Sequence, residues 1–195
     1  MKIAPEHFEH PALLNRLIIH PVDRSTVFLR DIYEPLENKI VITRGVKAHR
    51  EMNQSIQNAD QVIMLGHGTE DGLLAVQMFG MNSYVIDKSS VPALAGKDNS
   101  VFIWCHACDF VKKNNLKGFF TGMFISEMDE AIHYGVDCSE KDIMESNRAF
   151  ARILAEALSR NYSAAQIFEH ISTFYSEIAR VNKVAYYNYE RMDFF

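Results

Sequence analysis

Residues 101–110 read VFIWCHACDF, an apolar run that ends in two cysteines and a histidine. Such a run is typical of a strand buried on both faces, and we place that strand at residues 100–107. A second run of the same kind, QVIMLGHG at residues 61–68, carries His67 near its end. The sequence therefore predicts two core strands that both end in reactive side chains.

The same pattern extends outward in both directions along the chain. Further strands are expected at 16–22, 39–45 and 118–126, and a hairpin at 72–79 and 82–87. Helices are expected at 23–36 (with Asp23 or Ser25 as N-cap), 47–60, 91–96, from Glu127, 144–159 and 163–179. Apolar strands separated by helices predict a parallel sheet covered on both faces.

We accordingly expect an α/β fold, a three-layer αβα sandwich with a mostly parallel sheet and additional C-terminal helices. One domain over residues 1–195 is expected, with a core at about 15–136 and a C-terminal helical part at about 140–195. The aromatic tail VAYYNYERMDFF (184–195) is expected to pack back on the sheet or to form a homodimer contact. Ligand chemistry in such sheets lies at the carboxyl ends of the strands.

Composition narrows the classes of partner and compartment. The 195 residues carry a formal net charge of −5, and no stretch is dominated by Lys or Arg. We therefore expect no nucleic-acid and no membrane partner. The first ten residues lack the apolar segment of a secretory signal, and three cysteines make a poor disulfide framework. These features predict a cytoplasmic protein.

Three kinds of chemistry could use the cysteine cluster. The pair Cys105 and Cys108 has the C-x-x-C spacing of a redox dithiol, but no proline follows Pro92 to stand beside it as in thioredoxin-like folds. Zinc could be bound by these cysteines with His67 and His106, but no second ligand pair stands out, so we expect no metal and no cofactor. The third possibility is a hydrolase in which His67 activates a cysteine thiol.

The third interpretation is supported by a family resemblance. A strand that ends in His-Gly (residues 67–68), followed by a strand that ends in Ala-Cys (residues 107–108), resembles the catalytic core of the clan CD cysteine peptidases, which include caspases and gingipains. The resemblance covers roughly residues 15–136. It implies a caspase-like sheet and a cysteine endopeptidase that forms an acyl-enzyme with peptide or protein substrates.

Carried over to this chain, the resemblance assigns a role to each motif residue. His67 becomes the general base and Cys108 the nucleophile, while the backbone N–H groups of Gly68 and Cys108 form the oxyanion hole. Cys105 becomes a strand residue outside the reaction. The glycine that often follows the nucleophile is absent after Cys108, which keeps a catalytically silent interaction or regulatory domain open as an alternative.

Substrate selection would rest on charges in the loops at the strand ends. Asp23, Glu70 and Asp109 are the candidate carboxylates, and they predict a basic residue at the P1 position of the substrate. Arg24 lies in the same region and would favour an acidic P1 residue instead.

Overall fold

A computed structural model describes residues 14–43, 49–75 and 83–195. In these ranges the strands are β1 (Arg16–Ile19), β2 (Lys39–Ile42), β3 (Gln61–Leu65), β4 (Gly68–Thr69), β5 (Gly72–Leu74), β6 (Tyr84–Ile86), β7 (Ser100–Ile103), β8 (Gly118–Thr121) and β9 (Met192–Phe194). The expected end of the strand at 39–45, the start of the helix at 47–60, the hairpin positions 76–79 and 82, and the N-terminal residues 1–13 lie outside the described residues.

Six strands form the main sheet in the order β2-β1-β3-β7-β8-β9. The first five strands are parallel, with Arg16 paired to Gln61 and Ile63 paired to Val101. Strand β9 alone is antiparallel to its neighbour, β8. A separate antiparallel unit, β4-β5-β6, is inserted in the chain between β3 and β7. The expected α/β fold with a mostly parallel sheet is confirmed.

The described residues also form eight α-helices. Their bounds are α1 (Arg30–Tyr33), α2 (His49–Gln57), α3 (Val91–Leu94), α4 (Ala107–Lys113), α5 (Met128–His133), α6 (Glu140–Ser159), α7 (Ala164–Ala179) and α8 (Lys183–Tyr189). Helix α6 begins four residues before the expected 144 because Ser139 and Asp142 form a reciprocal capping box there. None of the helices in these ranges combines the length and apolar character needed to cross a membrane.

Alternate residues of the central strands separate two cores. Ile18, Ile63 and Val101 point into a first core, which they share with α1, α6 and α7. Their neighbours Leu17, Val62 and Phe102 point into a second core, which they share with α2, α3 and α4. Helices therefore cover both faces of the sheet, as a three-layer sandwich requires.

Several expected boundaries were wrong. Strand β7 ends at Ile103 rather than 107, because His106 takes a left-handed conformation (φ 66°) and helix α4 begins at Ala107. The helix expected at 23–36 is reduced to a 3-10 turn at Val27–Leu29 followed by α1. The C-terminal tail does pack on the sheet, where it supplies α8 and β9.

Candidate functional site

A pocket lies at the carboxyl ends of β3 and β7, which are neighbours in the sheet. His67 comes two residues after β3 and Cys105 two residues after β7, and both side chains line this pocket. The pocket is small, with about 20 Å³ open to the centre of a water molecule. Its other lining residues are Thr26, Phe28, Leu29, Gly66, Ile103, Trp104, Phe124, Ser126 and Glu130.

Cys108 does not line this pocket. It lies in helix α4, partly buried against the second core, and burial followed by the charge of Asp109 raises its pKa. The expectation that Cys108 stands at a strand end is therefore wrong, since the chain has already turned into a helix at Ala107. Cys105, expected to be a strand residue outside the site, is the thiol that shares the pocket with His67.

The thiol of Cys105 is held in its neutral form. Burial raises its pKa to about 11, and the negative charge of Glu130 adds to that effect. Hydrogen bonds to the sulfur from the backbone of Phe124 and of Cys105 itself act in the opposite direction, because they favour the thiolate. A base must therefore remove the proton before this sulfur can attack a carbonyl carbon.

His67 offers such a base in a fixed orientation. Its Nε2 lies 3.0 Å from Oδ2 of Asp23 and 2.7 Å from Oγ of Ser25. Both partners belong to the loop after β1. The carboxyl ends of three strands that are neighbours in the sheet, β1, β3 and β7, therefore contribute to the site. Among the described residues, none hydrogen-bonds the other ring nitrogen, Nδ1.

Packing alone accounts for the glycine at position 68. An added Cβ would stand 2.0 Å from Cδ1 of Trp104 and 2.6 Å from the carbonyl oxygen of Gly72. Packing under the buried indole therefore demands a glycine at this position whether or not a substrate approaches. Gly68 does not itself line the pocket; Gly66 does, and its N–H donates to the carbonyl of Ile103 across β3 and β7.

Glu130 brings negative charge to the wall of the pocket. One of its oxygens, Oε2, accepts hydrogen bonds from the N–H and Oγ–H of Ser126 and from the N–H of Glu127. The contact with the N–H of Glu127 is part of the capping box that starts α5. Burial, and then the charge of Glu130, raises the pKa of Glu127 at the same edge.

The other expected substrate residues are scattered. Arg24 is exposed and lines a neighbouring depression with Ser126 and Glu127. Glu70 is exposed in the turn between β4 and β5. Asp109 is exposed on α4, where it lies 3.2 Å from Nδ1 of His106. Of the carboxylates expected from the sequence, Asp23 is the one in contact with His67.

The dithiol and metal interpretations find no direct support in the described residues. Cys105, Cys108 and Cys138 are all free thiols. No group of three or more metal-ligating side chains in the described ranges is arranged to hold an ion.

The sequence held a signal for the start of α4, and so for which cysteine precedes that helix. Ala107, Phe110 and Val111 are spaced as one face of a helix, and all three are buried. A helix beginning at Ala107 leaves Cys105 as the first polar residue beyond the apolar run. Ser25, Phe124, Ser126 and Glu130 carried no comparable signal, because only the fold brings their loops together.

Comparison with known proteins adds no family name: no protein-family model matches the chain, and no curated protein matches it in sequence.

Proposed function

We propose that the protein is a cysteine hydrolase of the caspase-like type, with Cys105 as nucleophile and His67 as general base, acting on peptide or protein substrates. The observation that carries the proposal is that both residues line one pocket at the ends of neighbouring parallel strands. The antiparallel unit between β3 and β7 lies where the resemblance implies an intervening hairpin.

The chemistry follows from the state of the two groups. His67 accepts the proton of the neutral Cys105 thiol as the sulfur bonds to the carbonyl carbon, and negative charge moves onto the carbonyl oxygen. Collapse of this intermediate breaks the C–N bond, and the departing amine takes the proton from His67. Water, deprotonated by His67, then cleaves the thioester and restores the thiol.

The local backbone supports a nucleophile at Cys105. Backbone hydrogen bonds from Phe124 and Cys105 already favour negative charge on the sulfur. His106, directly after Cys105, holds the left-handed conformation that glycine adopts most readily.

A catalytically silent domain with the same fold is the second candidate. The burial of Cys105, which raises its pKa to about 11, favours this alternative, since an unactivated thiol reacts slowly. The two candidates differ in whether substrate-like electrophiles bond to Cys105.

The test is a set of peptidyl acyloxymethyl ketones that differ at P1, with the modified residue mapped by mass spectrometry. We expect an adduct on Cys105 that is lost in Cys105→Ala and retained in Cys108→Ala and Cys138→Ala. His67→Ala should slow labelling by roughly two to four orders of magnitude. An adduct on Cys108 would reject the assignment of the nucleophile, and no adduct with any probe would favour the silent domain.

A further inference from the structure

The loop after β1 holds one ring nitrogen of His67 from two sides. Oδ2 of Asp23 lies 3.0 Å from Nε2, and Oγ of Ser25 lies 2.7 Å from the same atom. The side chains of His67 and Asp23 are both about one-third exposed (38% and 35%), so the pair is neither buried nor freely solvated. What each partner can donate or accept decides which nitrogen of His67 carries the proton.

The second oxygen of Asp23 is fully engaged within its own loop. Oδ1 accepts from the N–H of Ser25 (3.0 Å), its Oγ–H (2.8 Å), the N–H of Thr26 (3.0 Å) and its Oγ1–H (2.9 Å). Burial alone would raise the pKa of Asp23, but these hydrogen bonds together, helped by His67, hold it below its ordinary value. Asp23 is therefore an ionised carboxylate whose Oδ1 is committed to the loop and whose Oδ2 is left for His67.

The proton on Nε2 follows from this arrangement. Ser25 has a single hydroxyl proton, which it donates to Oδ1, so its Oγ presents a lone pair to the ring. Oδ2 of an ionised carboxylate is likewise only an acceptor. Two acceptors at one nitrogen require that nitrogen to be the donor, and a neutral imidazole then has its lone pair on Nδ1.

We propose that Asp23 is a positioning residue that fixes His67 in the tautomer with the proton on Nε2, leaving Nδ1 to accept the proton of Cys105. The assignment of the tautomer stands on the contacts of Asp23 and Ser25 alone. Its catalytic consequence rests on the proposed hydrolase function.

The substitution Asp23→Asn tests this role without removing the loop contacts. The four donors around Oδ1 need an acceptor, so the amide oxygen must occupy that position and the NH₂ group must face Nε2. Nε2 of His67 then has to accept a hydrogen bond from this NH₂ group, so the ring proton moves to Nδ1. Nδ1 then has no lone pair with which to accept the proton of Cys105. A residue that served only to shape the loop would tolerate this change.

The chain contains a matched control on another loop. Oδ1 of Asp87 accepts from the N–H and Oγ–H of Ser89 at 2.8 and 2.6 Å, and Ser89 Oγ lies 3.0 Å from Nδ1 of His49. Here the carboxylate stands 3.9 Å from Nε2 of His49, so the two partners do not meet at one nitrogen. Asp87→Asn therefore changes the same kind of turn beside a histidine that is not part of the site.

The experiment combines NMR of the histidine rings with labelling of Cys105. At about pH 8.5, where an ordinary imidazole is neutral, two-bond ¹H–¹⁵N correlations should show the Nε2–H tautomer of His67 in the native protein. Asp23→Asn should show the Nδ1–H tautomer and slow acylation of Cys105 by about 10²–10⁴-fold, the scale of a lost general base or a wrong tautomer. The concentration of probe at half-saturation and the Trp104 emission should stay unchanged, and Asp87→Asn should behave as the native protein in every measurement.

Two results would overturn the inference: an Nδ1–H tautomer in the native protein, or an unchanged tautomer in Asp23→Asn. An equal loss of labelling in Asp87→Asn would show that loop damage explains the effect, and would overturn it as well. If the tautomer switches as expected while Cys105 stays unreactive in both proteins, the positioning role stands and the proposed hydrolase fails.

Discussion

Gly68 lies directly under the indole of Trp104, so close that an added Cβ would stand 2.0 Å from Cδ1 of the ring. The indole N–H donates to the carbonyl of Thr69 at 3.1 Å, which ties the start of the antiparallel unit to the end of β7. Trp104 directly precedes Cys105. The contact between Gly68 and Trp104 thus couples the segment after His67 to the segment that carries the candidate nucleophile.

Substituting this glycine should damage the site through packing. The backbone oxygen of Gly72 blocks the new methyl group on one side and Trp104 on the other, so Gly68→Ala should lower the free energy of unfolding by about 3 kcal/mol. Trp104 is the chain's single tryptophan, and its emission should shift to the red as the ring is displaced. Denaturant unfolding followed by fluorescence measures both effects.

Gly96→Ala is the control for that substitution. Gly96 also has a positive φ (85°), but an added Cβ would meet no atom within 4 Å. Gly96→Ala should lower the free energy of unfolding by only about 1–2 kcal/mol, through backbone strain. The emission of Trp104 should stay as in the native protein. Equal losses in the two variants would show that the Trp104 contact is unimportant.

The pKa of Cys105 predicts how its reactivity changes with pH. With a pKa of about 11, the thiolate fraction at pH 8 is on the order of 0.1%, and alkylation by iodoacetamide should rise nearly tenfold per pH unit toward that pKa. The rate is measured from the mass of the peptide that contains Cys105 over short exposures. A rate that levels off near pH 7 would show instead an activated thiolate in the resting protein.

His20 predicts a loss of stability in acid. This side chain is fully buried at the end of β1, with Nδ1 3.2 Å from the hydroxyl of Tyr33, and burial lowers its pKa to about 4. Below the ordinary histidine pKa of about 6.5, His20 is protonated in the unfolded chain but stays neutral in the folded protein. The free energy of unfolding should therefore fall as the pH drops from about 6.5 to 4, by roughly 3 kcal/mol at most.

His20→Gln isolates that contribution, because an amide can still accept from Tyr33 but does not titrate in this range. The variant should lose less stability between pH 7 and 4.5 than the native protein, as measured by urea unfolding at each pH. His133→Gln makes the same change on an exposed residue at the end of α5 and should keep the native slope. Parallel curves for His20→Gln and the native protein would contradict the prediction.

Carboxylates around the pocket predict a basic P1 residue. Asp23 contacts His67, Glu130 lines the pocket, and the pKa of Glu127 is raised first by burial and then by the charge of Glu130. A guanidinium or ammonium group bound here relieves the repulsion between these charges, whereas an aspartate increases it. Labelling by an Arg-P1 probe should exceed that by an Asp-P1 probe at least tenfold, and high salt should reduce the difference.

Glu130→Gln should narrow the preference for arginine, since glutamine can still accept from Ser126 and Glu127 in the capping box. Glu145→Gln, an exposed change in α6, should leave it unaltered. A higher rate with the Asp-P1 probe would instead point to Arg24, exposed in the neighbouring depression, as the specificity residue.

The sequence by itself determined the layered α/β fold and the strands that carry the site. Apolar runs at β1, β3 and β7 are long enough to require burial on both faces, so they predict parallel strands without reference to anything distant in the chain. Strand β9 was not predicted, because the three residues Met192–Phe194 form a strand only through their hydrogen bonds to β8. The capping boxes of α6 and α7 are local, and the expected helices there differ from the observed ones mainly at the first turn.

The choice between the two cysteines was decided by tertiary structure. Cys105 and Cys108 are three residues apart in similar surroundings of sequence, and the start of α4 at Ala107 separates them. His106, the residue before that helix, adopts a left-handed conformation, and α4 packs against the second core. Asp23 and Ser25 meet His67 for a related reason: parallel pairing of β1 with β3 brings their carboxyl ends to the same edge, 42 residues apart in the chain for Ser25 and His67.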